Sequence, residues 1–529
     1  KYTIKNGKKE GNYTDYYENG VAHLRREMAG DKLNGAFEYL DKQGNAYGIV
    51  QLKNDKGISA QFKDKEGKVV YEKTDKQGLN PYEVYNASGV KITSLPQDED
   101  GKITGKASYF FDFGVLREET NFKKDVMNGL STNYAKNGKV SVERNYVEGM
   151  TDGYYKAFGS HGQVQAEGWF KEDKMVGVWH HNYSNGQVQR SYFMLNEKLN
   201  GPEKNYSLNG KLELINHYDN GMLIGFTQYD STGKVIKEQE LSKGNGRYTT
   251  LYFNGNTAFD VGVKNGRFQG PYTISGPAKE KLEEGNYLNG QKNGSYSSYY
   301  SNGKLRLKGN YASGNKTGLW ILYSEVGDVE SETEFIDDEM SGVDKFYCGG
   351  QLRYETAYKN NLKDGMVKIY GEDKNLAGIL YYDEGVLVGY SYENKDGQLL
   401  PMIPVIKATS AINTNYANGN KALEFNVKNN CYDGSQKLYY SNGQLAENRN
   451  FKNDNFEGGY LRFNPDGSKL LTSSFKNDEQ QGIEEKYDKS GRLTMTTTYI
   501  DGIQHGKAQV IDAQGKDMKN LWYYYGSPQ

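Results

Sequence analysis

A glycine opens the same pattern every 24 residues through most of this chain. It stands at Gly105, Gly129, Gly153, Gly177, Gly201 and Gly225, and again at Gly270, Gly294, Gly318 and Gly342. The series goes on at Gly365 and Gly389 and closes through Gly434, Gly458, Gly482 and Gly506. A second glycine keeps step nine residues later, at Gly114, Gly138, Gly162, Gly186 and Gly210, at Gly303 and Gly327, and at Gly443, Gly467, Gly491 and Gly515. Two interlocked series of this length are not chance, even with 64 glycines among 529 residues. A period of this size means an array in which no unit buries its own apolar face and each needs its neighbours, and about 22 units fit the length.

Within a unit, aromatics precede the second glycine: Tyr155 and Phe158, Trp179 and Tyr183, Trp320 and Tyr323, Tyr460 and Phe463. After it come an aliphatic and then an aromatic six residues on, as at Leu116 and Phe122, Val140 and Tyr146, Leu212 and Tyr218, Val329 and Phe335, Leu445 and Phe451. Even spacing places such pairs on one face of a strand. The turn between the strands often reads Asn-Gly, as at Asn302-Gly303, a pair that tolerates the positive φ of a type I′ turn. The expected fold is all-β: an elongated, twisted antiparallel sheet of consecutive hairpins, solenoid-like. Laid flat as one sheet it would run to about 200 Å, less once it curls.

The pattern Tyr-x-x-Gly-x-x-x-Gly-x-aromatic reads as Tyr146, Gly149, Gly153, Tyr155, as Tyr287, Gly290, Gly294, Tyr296, and as Tyr311, Gly314, Gly318, Trp320. Tyr218, Gly221, Gly225 and Tyr499, Gly502, Gly506 keep its first three places. It resembles the MORN repeat, in the longer bacterial variant with an Asn-Gly turn in each unit. That resemblance implies a long twisted sheet of hairpins acting as a membrane-associated or protein-binding platform. Some bacterial members are antitoxin components, so it also implies a cytoplasmic inhibitor as an alternative. It assigns no chemistry to any residue.

The 66 basic and 68 acidic residues are finely mixed and leave a net charge of -2. No basic face for nucleic acid is present, and no polybasic patch for an anionic membrane. No stretch reaches the roughly 18 apolar residues of a membrane helix, which leaves peripheral membrane association open. Hydrophobic residues make up 36% and mean hydropathy is -0.86, values that suit a thin sheet rather than a thick core, with 46 tyrosines supplying buried area. Cys348 and Cys431 lie 83 residues apart, and a disulfide between them would require the sheet to fold back. The chain starts at Lys1, within the second half of a unit, which fits a removed leader or a start inside the array.

No catalytic constellation stands out. His180-His181 beside Trp179 is the one cluster among the six histidines, and neighbouring strand residues point to opposite faces. His161 and His505 occupy turn positions filled elsewhere by ordinary polar residues. Asp98-Glu99-Asp100-Gly101 lacks the alternate-ligand spacing of a calcium loop. Carboxylate pairs fall in turns, and a single-layer sheet offers no cleft for them to face across. No enzyme activity, no cofactor and no metal is therefore expected.

The phase of the repeat divides the chain into N-terminal units (1–77), an irregular break (78–104), the main array (105–397), an insertion (398–412) and C-terminal units (413–529). The insertion holds the most apolar run, Leu399, Leu400, Met402, Ile403, Val405 and Ile406, with Pro401 and Pro404 among them. Proline cannot donate to a ladder, so this run is an edge strand, a cap or a partner-binding loop. The aromatic end, with Trp522 and Tyr524, has no following unit and calls for a cap or a docking strand. Those eight residues are the candidate partner contacts. The function expected is a non-enzymatic protein-interaction scaffold, a subunit or accessory of a bacterial envelope assembly (outer-membrane, surface or secretion) outside the cytoplasm. The antitoxin-type inhibitor and a glycan-binding surface module, which would use the tyrosine rows, stay open.

Overall fold

The computed structural model describes every residue except 1, 2, 6, 161, 253, 372, 406–408, 429, 430, 513, 525, 526 and 529. The described residues are strand and turn throughout, paired antiparallel in chain order. The strands Lys174–Asn182 and Val188–Leu195 show how one unit is made.

Its Asn-Gly turn differs from the expected type I′. Gly186 N–H donates to the Tyr183 carbonyl (2.9 Å) and Tyr183 N–H to the Gln187 carbonyl (2.8 Å). Gly186 alone takes a positive φ, 83°, and the register slips between His181 and Asn182. This is a type I turn closed by a glycine bulge. The longer loop leaves the asparagine side chain free to work twice. Asn185 Oδ1 accepts the Gln187 N–H, and its amide donates to the Leu208 carbonyl in the next unit. Tyr183 adds a second rung there, its hydroxyl donating to the Tyr206 carbonyl at 2.7 Å. Tyr300 to Tyr323 and Tyr440 to Phe463 repeat that rung, each 23 residues on.

Type I′ turns lie on the opposite rim, where Glu172 and Asp173 have φ of 49° and 63°. Asp173 Oδ1 accepts the Thr151 N–H and its own N–H donates back to the Thr151 carbonyl. Asp55, Asp125, Asp338 and Asp454 do likewise, each taking the N–H of the residue 22 positions earlier. Elsewhere a glycine such as Gly290 fills the place and keeps only the backbone bond. Asp and Gly alternate here because both bear left-handed φ.

The apolar face is covered by its own rings. Trp179 lies flat over Gly168 of the neighbouring strand, where an added Cβ would come within 2.2 Å of the indole. Trp320 over Gly309 repeats the arrangement at 2.3 Å. Both indoles are only 3% exposed, edge-on to Phe170 and Tyr311.

The hairpins form four sheets rather than the single expected sheet. They span residues 3–74, 82–240, 246–404 and 409–528, with 7, 15, 16 and 13 strands. The three corners are alike: Asp75, Leu241 and Val405 each donate a backbone N–H to the carbonyl 17 residues earlier, on Ile58, Ile224 and Val388. The chain then turns, and the aromatic face of one sheet meets that of the next. A hydrophobic cluster sits at each corner: Val50, Phe62, Leu79 and Val84; Phe226, Leu241, Tyr248 and Val261; and Leu380, Val405, Ile412 and Phe425. This folding-back is why the 36% apolar content suffices, since the sheets cover one another where the core is thickest.

Sheets two apart also meet. Lys42 reaches Asp383 (2.7 Å) and Glu384 (2.9 Å), and Lys359 pairs with Glu18, 341 residues away in sequence. The hydroxyl of Ser160 donates to Glu479, 319 residues on. The first sheet thus touches the third and the second touches the fourth, as in a coil with two sheets per turn.

Gly309→Ala should lower the urea midpoint by about 1–3 kcal/mol of stability and shift tryptophan emission, because Trp320 must leave its seat. Gly303→Ala, at φ 81° in open space, should cost about 1 kcal/mol with emission unchanged. Equal emission spectra for the two variants would refute the ring-on-glycine packing.

Candidate functional site

The third and fourth sheets converge at their corner and diverge away from it, leaving a cavity of about 620 Å³ between their aromatic faces. Tyr354, Tyr358, Lys363, Ile369 and Tyr382 line one wall; Tyr432, Arg449, Phe451 and Phe456 line the other. The two sheets are tied across it by Tyr382 and Tyr432, whose hydroxyls are 2.7 Å apart. Deeper in the corner, the Thr414 hydroxyl donates to the Ala377 carbonyl at 2.6 Å. On the far side Arg462 points its guanidinium at Cys348 Sγ (3.4 Å). A cleft between sheets is thus present, contrary to the single-layer expectation, because the chain folds back at Val405.

The charges in this cavity are set by the repeat. The side chain two residues before the opening glycine lies on the aromatic face; it is Lys292, Lys316 and Lys363 in three of the units. Lys292 sits over Tyr296 and Tyr311 and pairs with Glu283, nine residues upstream, at 2.8 Å. At Lys363 the corresponding upstream residue is Tyr354, so that place holds no carboxylate. The Lys363 ammonium lies 5.1 Å from the Tyr382 ring centre and 5.7 Å from that of Tyr432. Among the described residues it has no hydrogen-bond or ion-pair partner. Burial pushes it below its ordinary pKa, with Asp454 pulling the other way. Arg449, over Tyr354, Phe456 and Tyr460, is held by Glu447. Asp454 Oδ1 is taken by the Tyr432 N–H, and burial raises the Asp344 carboxyl.

The sequence-derived contacts fall elsewhere and are not brought together. Ile403 and Pro404 form a two-residue edge strand on Tyr390 and Gly389. Leu399 and Met402 are 49% and 46% exposed, while Leu400 is half-buried and its carbonyl accepts from Ser391. Val405 is in the corner core and presents nothing to a partner. Ile406 lies outside the described residues, as does His161. Trp522, 57% exposed, pairs with Lys507 in the fourth sheet; Tyr524 shares its strand.

An exposed surface escaped the sequence reading. Trp169 (52% exposed) lies tilted against Tyr154, ring centres 5.2 Å apart, and Phe193 (40%) stands opposite Val178 (48%), on four neighbouring strands of the second sheet. This face is the one opposite to Trp179. Its signal was an apolar residue directly after the opening glycine, at Leu130, Val178, Leu319, Val343, Met366 and Ile483, all exposed.

Among the described residues no three His, Cys, Asp or Glu side chains gather as a metal site. The Asp98 carboxylate is occupied by its own turn, accepting the N–H of Asp100 and Lys102 and the Thr104 hydroxyl. Cys348 and Cys431 are unpaired thiols. No helix of the described residues is long and apolar enough to cross a membrane.

The architecture is that of a β-hairpin repeat protein. The family model of the MORN repeat variant matches four stretches of the chain, residues 98–124, 199–220, 292–313 and 432–453. No curated protein matches the chain. Among solved structures it is similar, at 11% identity, to a chain in the crystal structure of TcdB2-TccC3-Cdc42, over 98% of this chain and 31% of that one, with a TM-score of 0.13. It is likewise similar to one in the Photorhabdus luminescens Tc holotoxin pore, at 11% identity over 96% of this chain and 35% of that one, with a TM-score of 0.12. The chain spans about a third of the length of these solved chains.

Burial raises the pKa of Tyr354, Tyr382 and Tyr432 above the ordinary 10 of a tyrosine. The unfolded chain then loses these protons first, so the stability tied to their burial is whole below pH 10 and drains away as pH climbs above it. Urea midpoints should hold steady from pH 7 to 9 and fall between pH 10 and 12. The fall should be shallower in Tyr382→Phe, and an identical fall in that variant would contradict the assignment.

Proposed function

We propose that this chain is a non-enzymatic protein-interaction scaffold, a subunit or accessory of a bacterial envelope assembly of the outer-membrane, surface or secretion kind, outside the cytoplasm. The observation that carries the scaffold reading is the exposed Trp169, Val178 and Phe193 surface, with the half-buried Tyr154 beside it, on a rigid, hydrogen-bonded wall. Aromatic side chains are favoured anchors of protein interfaces, and a sheet face locked at both rims presents them without an ordering cost. Leu399 and Met402, beside the short edge strand at Ile403–Pro404, offer a second contact of the strand-addition kind. The envelope placement rests on the repeat resemblance and on the Lys-, Asn- and Tyr-rich composition. The same exposed rings also suit stacking against sugar rings, which supports the glycan-binding alternative.

Affinity capture of the tagged chain from membrane and soluble fractions tests this. Stoichiometric recovery of envelope or secretion proteins, lost in a Trp169→Ser/Phe193→Ser variant of unchanged urea midpoint, is the expected result. Recovery of one small toxic protein from the cytosol would replace the reading with the antitoxin-type inhibitor. Retention on immobilised glycan, released by free sugar and with no protein partner, would replace it with the glycan module.

A further inference from the structure

The cavity between the third and fourth sheets has the make-up of a small-molecule site, independently of any scaffold role. Its volume of about 620 Å³ falls in the range of ligand pockets, which take apolar walls and a few placed polar groups. The walls are tyrosine and phenylalanine rings on both sheets, with Val367, Ile369 and Leu387 between them. Such surfaces accept a flat ring. The polar groups are largely spoken for: Arg449 by Glu447, Asp454 by the Tyr432 backbone, Asp344 by the Thr333 hydroxyl, and the Tyr382 and Tyr432 hydroxyls by each other. Lys363 is left over.

The comparison with Lys292 within the same chain makes the point sharper. Both lysines occupy the same place in the unit and lie over tyrosine rings. Lys292 has its counter-charge built in at Glu283, whereas Lys363 has a tyrosine at that place. A cation placed at a cavity wall with no carboxylate bonded to it, and only Asp454 attracting it from a distance, is a poor choice for stability alone, since burial of an incompletely paired charge is costly. An anion arriving from solution completes it.

We propose that this cavity binds a small planar aromatic anion, its ring held between the facing aromatic walls and its carboxylate taken by the Lys363 ammonium. Arg449, fixed by Glu447, sets the positive character of the opposite wall. Lys316, at the same place in an earlier unit, lies over Trp320 and Phe335, does not line this cavity and is not part of the site.

The test titrates the full chain with 1-naphthoate and with its neutral counterpart 1-naphthylmethanol, by calorimetry at pH 7. Wild-type protein should bind the acid at least about tenfold more tightly than the alcohol, about 1.4 kcal/mol, as a charge-assisted contact would give. Lys363→Met should bring the two to parity, Lys363→Arg should keep the preference, and Lys292→Met should leave it unchanged. No binding of the acid, equal binding of acid and alcohol by the wild type, or a preference that survives Lys363→Met would each overturn the proposal. The wild-type comparison decides even where a variant fails to fold.

Discussion

An aromatic ring lying flat on a glycine of the neighbouring strand is the contact on which the rest of this structure depends. A single-layer sheet has no second layer to cover its apolar face, so the rings must cover the sheet themselves. Trp179 on Gly168 and Trp320 on Gly309 do so within one hairpin pairing, at the spacing that the 24-residue unit keeps. The opening glycine sits at a bulge, where three residues of one strand face one of the next, as around Trp179 opposite Gly168. The bulge sharpens the twist, and the two rims hold it with different chemistry: tyrosine hydroxyls and asparagine amides along one, aspartate or glycine along the other.

Cover of this kind is thin, and the chain thickens it by folding back. Leu241 follows Asp75 by 166 residues and Val405 follows Leu241 by 164, so the corners recur on a longer period of their own. Each corner brings two aromatic faces together and buries the residues that the rings cannot shield. The pairing of Lys42 with Asp383 and Glu384, and of Lys359 with Glu18, then joins sheets a full turn apart. These ion pairs are partly or wholly exposed and contribute little stability singly. Their weight is in fixing which sheets lie beside which.

The hairpin unit and the all-β class were legible in the sequence because glycine and tyrosine recur in phase. Turn type was not, because Asn-Gly suits both a type I′ turn and a type I turn with a glycine bulge, and only the pairing register separates them. The corners were visible as lost phase near Pro81, Gly246 and Pro404, but not what they do. Folding back is decided by contacts hundreds of residues apart, which a local pattern cannot carry. The cavity was hidden for the same reason: Tyr354 in place of a glutamate beside Lys363 means nothing until Tyr432 arrives from the next sheet. The apolar insertion was read as an edge strand, a cap or a partner-binding loop; Ile403–Pro404 is an edge strand, while Val405, one of the candidate partner contacts, is core, since a corner needs an apolar residue beneath it.

The coil is tested most directly by zero-length carbodiimide cross-linking of the dilute monomer, followed by peptide mass spectrometry. Intramolecular links from Lys42 to Asp383 or Glu384 and from Lys359 to Glu18 are expected, alongside short-range links such as Lys292 to Glu283. Finding the short-range links without any that bridge 341 residues would contradict the folded-back, coiled arrangement and restore a single extended array.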